Sequence, residues 1–424
     1  MLAACFRQTA NRSHTAQATQ LCRGLIAQRR LESTHKPAKE HSISLSARKL
    51  NIPWQDGKTS SFHHIWLRDH CRSKSCFHPV THQRLLDTSL LPRDIAPTNV
   101  EQGEEGLTLT WPDAHQSYFS YDWLHRHSYS PKFPRPDALE APQHFWGSEI
   151  KESLPTIAYD DIMASDEGVG RWLTQIHTYG FSLVDGTPID PAATQALLER
   201  IAFIRQTHYG GFYDFTADLA HGDLAYTNVA LPPHNDTTYF SDPAGLQMFH
   251  LLAFDGTGGE SLLVDGFKAA KQLRQDHPKA YSTLSRVRVP THSAGDVDKC
   301  ITPSIGGGAF PILNHDPATG LLSQVRYNNE DRSTMTSFTD DREVEDFYEA
   351  LQVWHTLLVS PAMMLQFPMK PGQALIFDNW RVLHGRTQFD ATKRRICGGY
   401  ISMDDYQSRR KLTTRGREAV MFDL

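Results

Sequence analysis

Two histidines and one aspartate have the residue types and spacing of a metal site. His234 and Asp236 are two residues apart, so on an extended strand their side chains point to the same face. His384 stands just past the end of an apolar, strand-like run that begins after the Pro371-Gly372 turn. Two neutral imidazoles and one carboxylate form the facial triad of non-haem Fe(II) oxygenases, which leaves three adjacent coordination positions for a chelating 2-oxo acid and dioxygen. A His-x-Asp pair by itself is more often a pair of surface residues.

A pair of arginines favours an iron oxygenase over a zinc hydrolase. Arg394 and Arg395 lie ten and eleven residues after His384, in the strand-like run KRRICGGY (393–400). A 2-oxoglutarate molecule that chelates iron needs a cation for its far carboxylate, and arginine can bind that carboxylate through two parallel hydrogen bonds. A zinc hydrolase needs no such anchor, because its metal polarises a water molecule. For either arginine, an exposed surface position is the alternative.

The composition of this 424-residue chain excludes several classes of protein. Hydrophobic residues make up 39% and charged residues 21%, which is typical neither of a disordered chain nor of a membrane protein, and the apolar runs are too short for a membrane span. The formal charge of −5 argues against a nucleic-acid-binding protein with a broad basic face. Six cysteines in a chain of this length cannot form a disulfide scaffold. We therefore expect neither nucleic acid nor a membrane as a partner.

Residues 1–31 have the composition of a targeting segment. They contain five arginines and no acidic residue, and they lack the continuous apolar stretch of a secretory signal. This pattern predicts a mitochondrial transit peptide, and hence a protein of the mitochondrial matrix. A disordered N-terminal tail is the alternative.

The segments that must position the candidate site are short strands with a few helices. Leu and Trp alternate with Thr over residues 107–111, as in a half-buried strand. The patterns also predict strands at Leu246–Leu252 and Ala374–Phe377, and helices from Asp190, from near Asp265 and over 341–358. Strands and helices do not alternate regularly, so we expect a mainly β fold with outer helices, in the form of a double-sheet β-roll.

Proline positions suggest how the chain is divided. Four prolines between residues 128 and 148 are incompatible with regular structure there. We therefore predict a small N-terminal domain over 42–127, a linker over 128–160 and a second domain over 161–424.

Long motifs make the chain from residue 42 onwards recognisable. This part resembles the γ-butyrobetaine/trimethyllysine dioxygenase family, and more closely its trimethyllysine branch. The motifs are WLRDHCRSKSC (66–76), THQR (81–84), WPDAHQS (111–117), GDLAYTNVAL (222–231), HNDTTYFSDPAGLQMFH (234–250), GGESLLVDGF (258–267), RYNNEDR (326–332) and DNWRVLHGR (378–386). The resemblance implies a double-stranded β-helix (jelly-roll) catalytic domain and a small β-rich N-terminal domain.

The resemblance also implies the cofactors and the residues that bind them. The implied ligands of Fe(II) are His234, Asp236 and His384. The residue implied to bind 2-oxoglutarate is Arg394, with Arg395 as the alternative. L-Ascorbate is the reductant that the family uses. Relatives carry Thr between the first two iron ligands, where this chain has Asn235, whose side chain we expect to point away from the metal.

A trimethylammonium group has no N–H to donate, so charge and aromatic faces must recognise it. The cage positions of the family correspond to Tyr209, Tyr213 and Tyr226, and position 213 is often Trp in relatives. Packing within the core is the alternative for each tyrosine. Asp223 falls at a substrate-binding acidic position, with a solvated loop residue as the alternative. Either Asn328 or Asn329 is expected to contact the polar end of the substrate.

The resemblance extends to a structural zinc site that the butyrobetaine enzymes form with three cysteines and one histidine. Cys71, Cys76 and His115 match three of these ligands, and Ser73 stands where the middle cysteine would be. Serine is a poor zinc ligand, so we consider His70 or His78 as the fourth donor. Packed thiols without metal are the alternative.

The resemblance implies a small-molecule substrate: the expected activity is hydroxylation of free N6,N6,N6-trimethyl-L-lysine at C3, the first step of carnitine synthesis. Two alternatives remain: a γ-butyrobetaine dioxygenase, whose substrate has the same cationic head, and a non-catalytic scaffold that binds quaternary ammonium ligands. A homodimer is the assembly to be tested, since the sequence does not define the oligomeric state.

Overall fold

The structure is a computed structural model that describes residues 36–38, 43–133, 142–216 and 227–424. The chain divides into two compact units, residues 1–137 and 138–424. The predicted transit peptide (1–31), Asp223 and Tyr226 lie outside the described residues. Within the described ranges, no helix has both the length and the apolar character needed to cross a bilayer.

The first unit contains two three-stranded antiparallel sheets. Its elements are β1 (Ser44–Leu45), β2 (Lys49–Pro53), β3 (Thr59–His63), α1 (His64–Asp69), β4 (Asn99–Gln102), β5 (Gly106–Thr110), β6 (Gln116–Ser120) and α2 (Tyr121–Arg126). The alternation predicted from the sequence is present in β5, where Leu107 and Leu109 are buried and Thr108 and Thr110 are half-buried. The leucines join a core of tryptophan, phenylalanine and aliphatic side chains within this unit.

The second unit combines two larger sheets with most of the helices. Its strands are β7 (Thr156–Ala158), β8 (Phe181–Asp185), β9 (Tyr213–Thr216), β10 (Leu231–His234), β11 (Leu246–Gly258), β12 (Ser261–Asp265), β13 (Val289–Pro290), β14 (Ala309–Phe310), β15 (Leu313–His315), β16 (Leu322–Val325), β17 (Met364–Phe367), β18 (Gln373–Asp378), β19 (Val382–Arg386) and β20 (Phe389–Ile401). Its helices are α3 (Tyr159–Ala164), α4 (Asp166–Tyr179), α5 (Pro191–Glu199), α6 (Gly266–Asp276), α7 (Pro278–Arg286), α8 (Asp341–Leu358), α9 (Met403–Arg415) and α10 (Arg417–Phe422).

The two larger sheets pack face to face. One has six strands in the order β7-β8-β18-β11-β20-β9, and the other has four strands in the order β10-β19-β12-β17. Leu375 and Phe377 of β18 pack between the sheets with Leu263 and Leu365 of the smaller sheet. Ile376 points the opposite way, towards helices, because successive side chains of a strand alternate between its two faces.

Helices cover the outer face of the six-stranded sheet. A single hydrophobic cluster there combines Ile376 with Trp172 and Leu173 of α4, Leu197 of α5 and Tyr406 of α9. The predicted helix starts are confirmed. The side chain of Asp190 caps α5 ahead of a proline, the side chain of Asp265 caps α6, and α8 covers 341–358 as predicted. The core is a β structure with outer helices, although ten helices in the described residues make the helical part larger than "mainly β" implies.

Part of the predicted linker is ordered. Residues 156–158 form β7, which pairs in parallel with β8 at the edge of the six-stranded sheet, and α3 starts at Tyr159. The four prolines that suggested a linker all precede residue 148, so they carry no information about this edge strand. The boundary between the two compact units falls after residue 137, inside the predicted linker. The limits 42–127 and 161–424 stay predictions.

Candidate metal centre and substrate cavity

His234, Asp236 and His384 meet in the four-stranded sheet. His234 ends β10, and it lies directly opposite His384 of the antiparallel strand β19. The Nε2 atoms of His234 and His384 lie 3.3 and 3.6 Å from Asp236 Oδ1. Each of the three residues offers one possible ligand atom, and these three atoms lie within 4.8 Å of one another. His384 belongs to a strand of its own; the expectation that it stands just past the apolar run was wrong, because a turn over residues 379–381 separates β18 from β19.

The electrostatics of this cluster suit a divalent cation. Burial opposes ionisation of Asp236, yet the two imidazoles and the Tyr400 hydroxyl hold the pKa of this carboxyl well below its usual range. Burial also disfavours the charged form of His234, but Asp236 raises the pKa of that imidazole to about 9. Burial and the charge of His234 lower the pKa of His384 to about 3. Two imidazole nitrogens and one carboxylate in a buried pocket are the donor set of non-haem Fe(II), so the residues present fit this metal.

Asp236 is held by residues that sequence reasoning missed. Its Oδ2 atom accepts hydrogen bonds from Gln247 Nε2 at 2.6 Å and from the Tyr400 hydroxyl at 2.8 Å. Asn379 accepts from the Asp236 N–H at 2.9 Å and donates to the Asp236 carbonyl at 3.0 Å. Burial, followed by the charge of Asp236, raises the pKa of Tyr400 well above its usual value, so its hydroxyl stays a donor. Gln247 and Asn379 lie within recognised motifs, and Tyr400 ends the strand-like run 393–400, but their contacts with Asp236 join distant parts of the sequence.

Asn235 points away from the cluster, as expected. Its Nδ2 donates to the carbonyls of Asn379 and Val382, and its Oδ1 accepts from the Tyr327 N–H. This buried amide therefore ties the turn between β18 and β19 to the segment after β16.

A cavity of about 450 Å³ opens at the cluster, and of the two candidate arginines one lines it and the other does not. Arg394 lines the cavity with its guanidinium 4.9 Å from the centre of the Phe389 ring, and no carboxylate among the described residues pairs with it. Burial and the nearby Arg386 lower the pKa of Arg394 to about 9. Arg395 instead makes two hydrogen bonds, of 2.8 and 2.5 Å, to Asp214 at the protein surface. The geometry therefore assigns the cavity position to Arg394.

Two of the three aromatic candidates lie within the described residues. Tyr209 and Tyr213 both line the cavity, and Tyr213 donates to the Met248 carbonyl at 2.7 Å. Tyr239 adds a third ring beside Tyr209 and was not predicted. Asn328 lines the same cavity, whereas Asn329 borders a separate pocket of about 330 Å³.

The candidate zinc ligands of the first unit also meet. His115 Nε2 lies 3.2 Å from Cys71 Sγ and 3.5 Å from Cys76 Sγ, and the Ser73 hydroxyl completes the group at 3.4 Å. Arg68 donates to Cys76 Sγ at 3.1 Å. Burial raises the pKa of the Cys76 thiol, but hydrogen bonds from Ser73 and Arg68 outweigh this and lower it.

The two histidines considered as a fourth zinc donor have other contacts. His70 Nδ1 bonds to the Trp66 carbonyl, and its ring stacks on Trp66. His78 Nδ1 accepts from the N–H groups of Val80 and Thr81. Of the three residues considered as a fourth donor, Ser73 is the one whose side chain contacts the matched donors.

Comparison with known proteins identifies the family of this chain. The model of the taurine catabolism dioxygenase TauD, TfdA family matches residues 139–400, and the gamma-butyrobetaine hydroxylase-like N-terminal model matches residues 42–125. A trimethyllysine dioxygenase of Meyerozyma guilliermondii is 42% identical, over 88% of this chain and 95% of that protein. The mitochondrial trimethyllysine dioxygenase of Homo sapiens is 37% identical, over 87% of this chain and 89% of that protein. A gamma-butyrobetaine dioxygenase of Pongo abelii is 31% identical, over 86% of this chain and 94% of that protein. The chain therefore belongs to the TauD-like family of Fe(II)/2-oxoglutarate dioxygenases that includes the trimethyllysine and γ-butyrobetaine dioxygenases.

Proposed function

We propose that this protein hydroxylates N6,N6,N6-trimethyl-L-lysine to 3-hydroxy-N6,N6,N6-trimethyl-L-lysine, the first step of carnitine biosynthesis, with Fe(II) and 2-oxoglutarate. The observation that most directly supports this activity is that one cavity is lined by His234, Asp236, His384 and Arg394. The relatives named trimethyllysine dioxygenase are 37% and 42% identical, against 31% for the γ-butyrobetaine relative, which favours trimethyllysine as the substrate.

Each residue of the cavity has a separable task. The chemistry that iron and 2-oxoglutarate supply when bound is hydroxylation of a C–H bond by dioxygen, with succinate and CO2 as co-products. His234, Asp236 and His384 would hold the metal, and Arg394 would bind the far carboxylate of 2-oxoglutarate. The guanidinium of Arg394 is half-buried and has no carboxylate partner among the described residues, so it is suited to this task, because an ionised partner would relieve its desolvation.

Tyr209 and Tyr213 would present aromatic faces to the trimethylammonium group, since a quaternary ammonium is attracted by the negative face of an aromatic ring. Tyr226 and Asp223 are proposed as further contacts of the substrate. Among the asparagine candidates, Asn328 is favoured because it lines the cavity. These contacts would place the target carbon near the metal and keep bulk water away from it.

The decisive experiment is a competition assay. Protein loaded with Fe(II) is incubated with 2-oxoglutarate, ascorbate and an equimolar mixture of trimethyllysine and γ-butyrobetaine. We expect succinate together with a product that is one oxygen atom heavier than trimethyllysine and hydroxylated at C3 by NMR. The His384→Ala protein should form no product. Preferential hydroxylation of γ-butyrobetaine would move the protein to the other branch, and a lack of substrate-dependent succinate would refute the activity.

A non-catalytic scaffold is the competing class. The intact triad and Arg394 count against it, since a binding scaffold has no need of either. In cells that depend on this protein for carnitine, His384→Ala should abolish function; full activity of that variant would support the scaffold.

We further propose a double-stranded β-helix topology for the catalytic domain and a location in the mitochondrial matrix. The two facing sheets support the first proposal, and the naming of the mammalian relatives as mitochondrial supports the second. A fluorescent protein fused behind residues 1–31 should enter mitochondria; a cytosolic signal would contradict the location.

Zinc in the N-terminal unit is a separate proposal. Cys71, Cys76 and His115 supply three donors, and Ser73 or a water molecule would have to complete the four that structural zinc requires. Elemental analysis should find zinc that is lost in Cys71→Ser and more tightly held in Ser73→Cys. Equal zinc content in wild type and Cys71→Ser would exclude the site.

A further inference from the structure

We infer that Gln247 and Tyr400 are positioning residues that make Asp236 a one-oxygen ligand of the metal. The inference rests on the proposed iron site and goes beyond it, because neither residue belongs to the metal-binding triad. Both donate to the same carboxylate oxygen, Oδ2, at 2.6 and 2.8 Å. The other oxygen, Oδ1, is the one that lies 3.3 and 3.6 Å from the Nε2 atoms of His234 and His384.

The pair is built by the register of the larger sheet. Gln247 of β11 and Tyr400 of β20 are direct cross-strand partners, so their side chains leave the same face of the sheet side by side. Both are almost fully buried, at 1% and 4% exposure, and both line the cavity. The donors thus come from one sheet, while the triad that they approach is carried by the other.

The main chain of Asp236 is fixed independently of this pair. Asn379 binds both its N–H and its carbonyl, at 2.9 and 3.0 Å. Rotation of the side chain is therefore the main freedom left to the carboxylate, and the two donors remove it. Without them, the carboxylate could turn both of its oxygens towards a cation.

The orientation of the Gln247 amide supports a role directed at Asp236. Its Nε2 faces the carboxylate, whereas its Oε1 is buried and has no hydrogen-bond partner in the described part of the chain. The reversed amide would set a carbonyl oxygen against an ionised carboxylate, which is repulsive. The protein therefore leaves one buried acceptor unsatisfied and keeps the donor on Asp236, a pattern that packing alone does not require.

A carboxylate that binds through one oxygen occupies one coordination position. The remaining positions then stay available for a chelating 2-oxo acid and dioxygen. Hydrogen bonds to the outer oxygen of a metal-binding carboxylate also orient it, and loss of such contacts typically weakens metal binding by about 10- to 100-fold.

Metal titration of the full-length protein tests the inference without relying on turnover. Co(II) is added to metal-free wild type, Gln247→Met and Tyr400→Phe, and binding is followed by visible absorption in competition with a chelator. We expect each variant to bind Co(II) about 10- to 100-fold more weakly. We also expect the d–d bands of the cobalt to change in intensity, because a two-oxygen carboxylate alters the coordination number.

Tyr406→Phe is the matched control. Tyr406 is also a buried tyrosine, and its hydroxyl donates to the Leu173 carbonyl at 3.4 Å, outside the residues that line the cavity. This variant should keep the affinity and the cobalt spectrum of the wild type. A thermal melt of each protein shows whether a loss of binding reflects unfolding.

The outcomes separate the inference from the proposed function. If wild type binds Co(II) and both single variants bind it with unchanged affinity and spectrum, the positioning role is refuted while the metal site stands. If folded wild type fails to bind Co(II), the metal site and the positioning role are refuted together.

Discussion

Arg394 and Arg395 are adjacent in the sequence but occupy different environments. Successive residues of β20 face opposite sides of the sheet, so Arg394 points into the cavity while Arg395 pairs with Asp214 at the surface. The difference matters because a partly desolvated guanidinium without an anionic partner binds an incoming carboxylate more strongly than one that is already paired with a carboxylate at the surface.

Replacing each arginine by methionine tests this assignment. Arg394→Met should raise the KM for 2-oxoglutarate about 10- to 100-fold, since a hydrogen bond to a charged group contributes about 1.5–3 kcal/mol. Steady-state kinetics with varied 2-oxoglutarate measures the effect, and the co-substrate should raise the melting temperature of wild type but not of this variant. Arg395→Met is the control and should leave both quantities unchanged; equal effects of the two substitutions would contradict the assignment.

At the scale of elements, one ion pair joins the start of α6 to the turn that precedes His384. Asp265 caps α6 by accepting from the N–H groups of Phe267 and Lys268. The same carboxylate binds Arg381 at 2.8 and 3.2 Å, and both side chains are fully buried. Arg381 also donates to the His177 and Thr178 carbonyls, so a single guanidinium gathers several segments behind the triad.

Asp265→Ala should therefore be strongly destabilising. Removing one partner of a buried ion pair costs about 3–5 kcal/mol, because the remaining charge stays buried without compensation. Urea unfolding gives the change in free energy of unfolding. Asp190→Ala is the matched control, since Asp190 caps α5 but is exposed, and loss of such a cap costs about 1 kcal/mol. Similar losses for the two variants would show that capping, and not the pair with Arg381, is what stabilises this region.

For the molecule as a whole, His250 links stability to pH. It is fully buried between the six-stranded sheet and α5, where its Nδ1 lies 2.6 Å from the Thr194 hydroxyl and 4.0 Å from Cys397 Sγ. Burial lowers its pKa to about 4, and Cys397, whose pKa burial raises to about 11, stays neutral in acid. In the unfolded chain this histidine returns to about 6.5. The unfolded state therefore binds the extra proton between these two values, and stability falls as the pH drops from about 6.5 to about 4.

Through this shift, His250 makes the free energy of unfolding about 3 kcal/mol larger at neutral pH than at pH 4. We expect the difference in free energy of unfolding between pH 7 and pH 4.5 to be smaller in His250→Gln than in wild type. Urea unfolding at both pH values measures it, with the exposed His355→Gln as the control. A variant with the same pH dependence as wild type would show that His250 does not titrate in this range.

Local sequence patterns determined a substantial part of this protein. Three features depend only on residues close to one another in the sequence, so each could be predicted. They are the two-residue spacing of His234 and Asp236, the capping aspartates of α5 and α6, and the periodicity of α8. The long motifs identified the family, which the comparisons confirmed.

Tertiary structure alone decided how the site is assembled. His234 and His384 are opposite each other because β10 pairs with β19, and Gln247 and Tyr400 are neighbours because β11 pairs with β20. The same pairing sets Arg394 in the cavity and Arg395 outside it. Strand pairing and register between segments about 150 residues apart follow from packing of the whole core, and a local sequence pattern does not contain them.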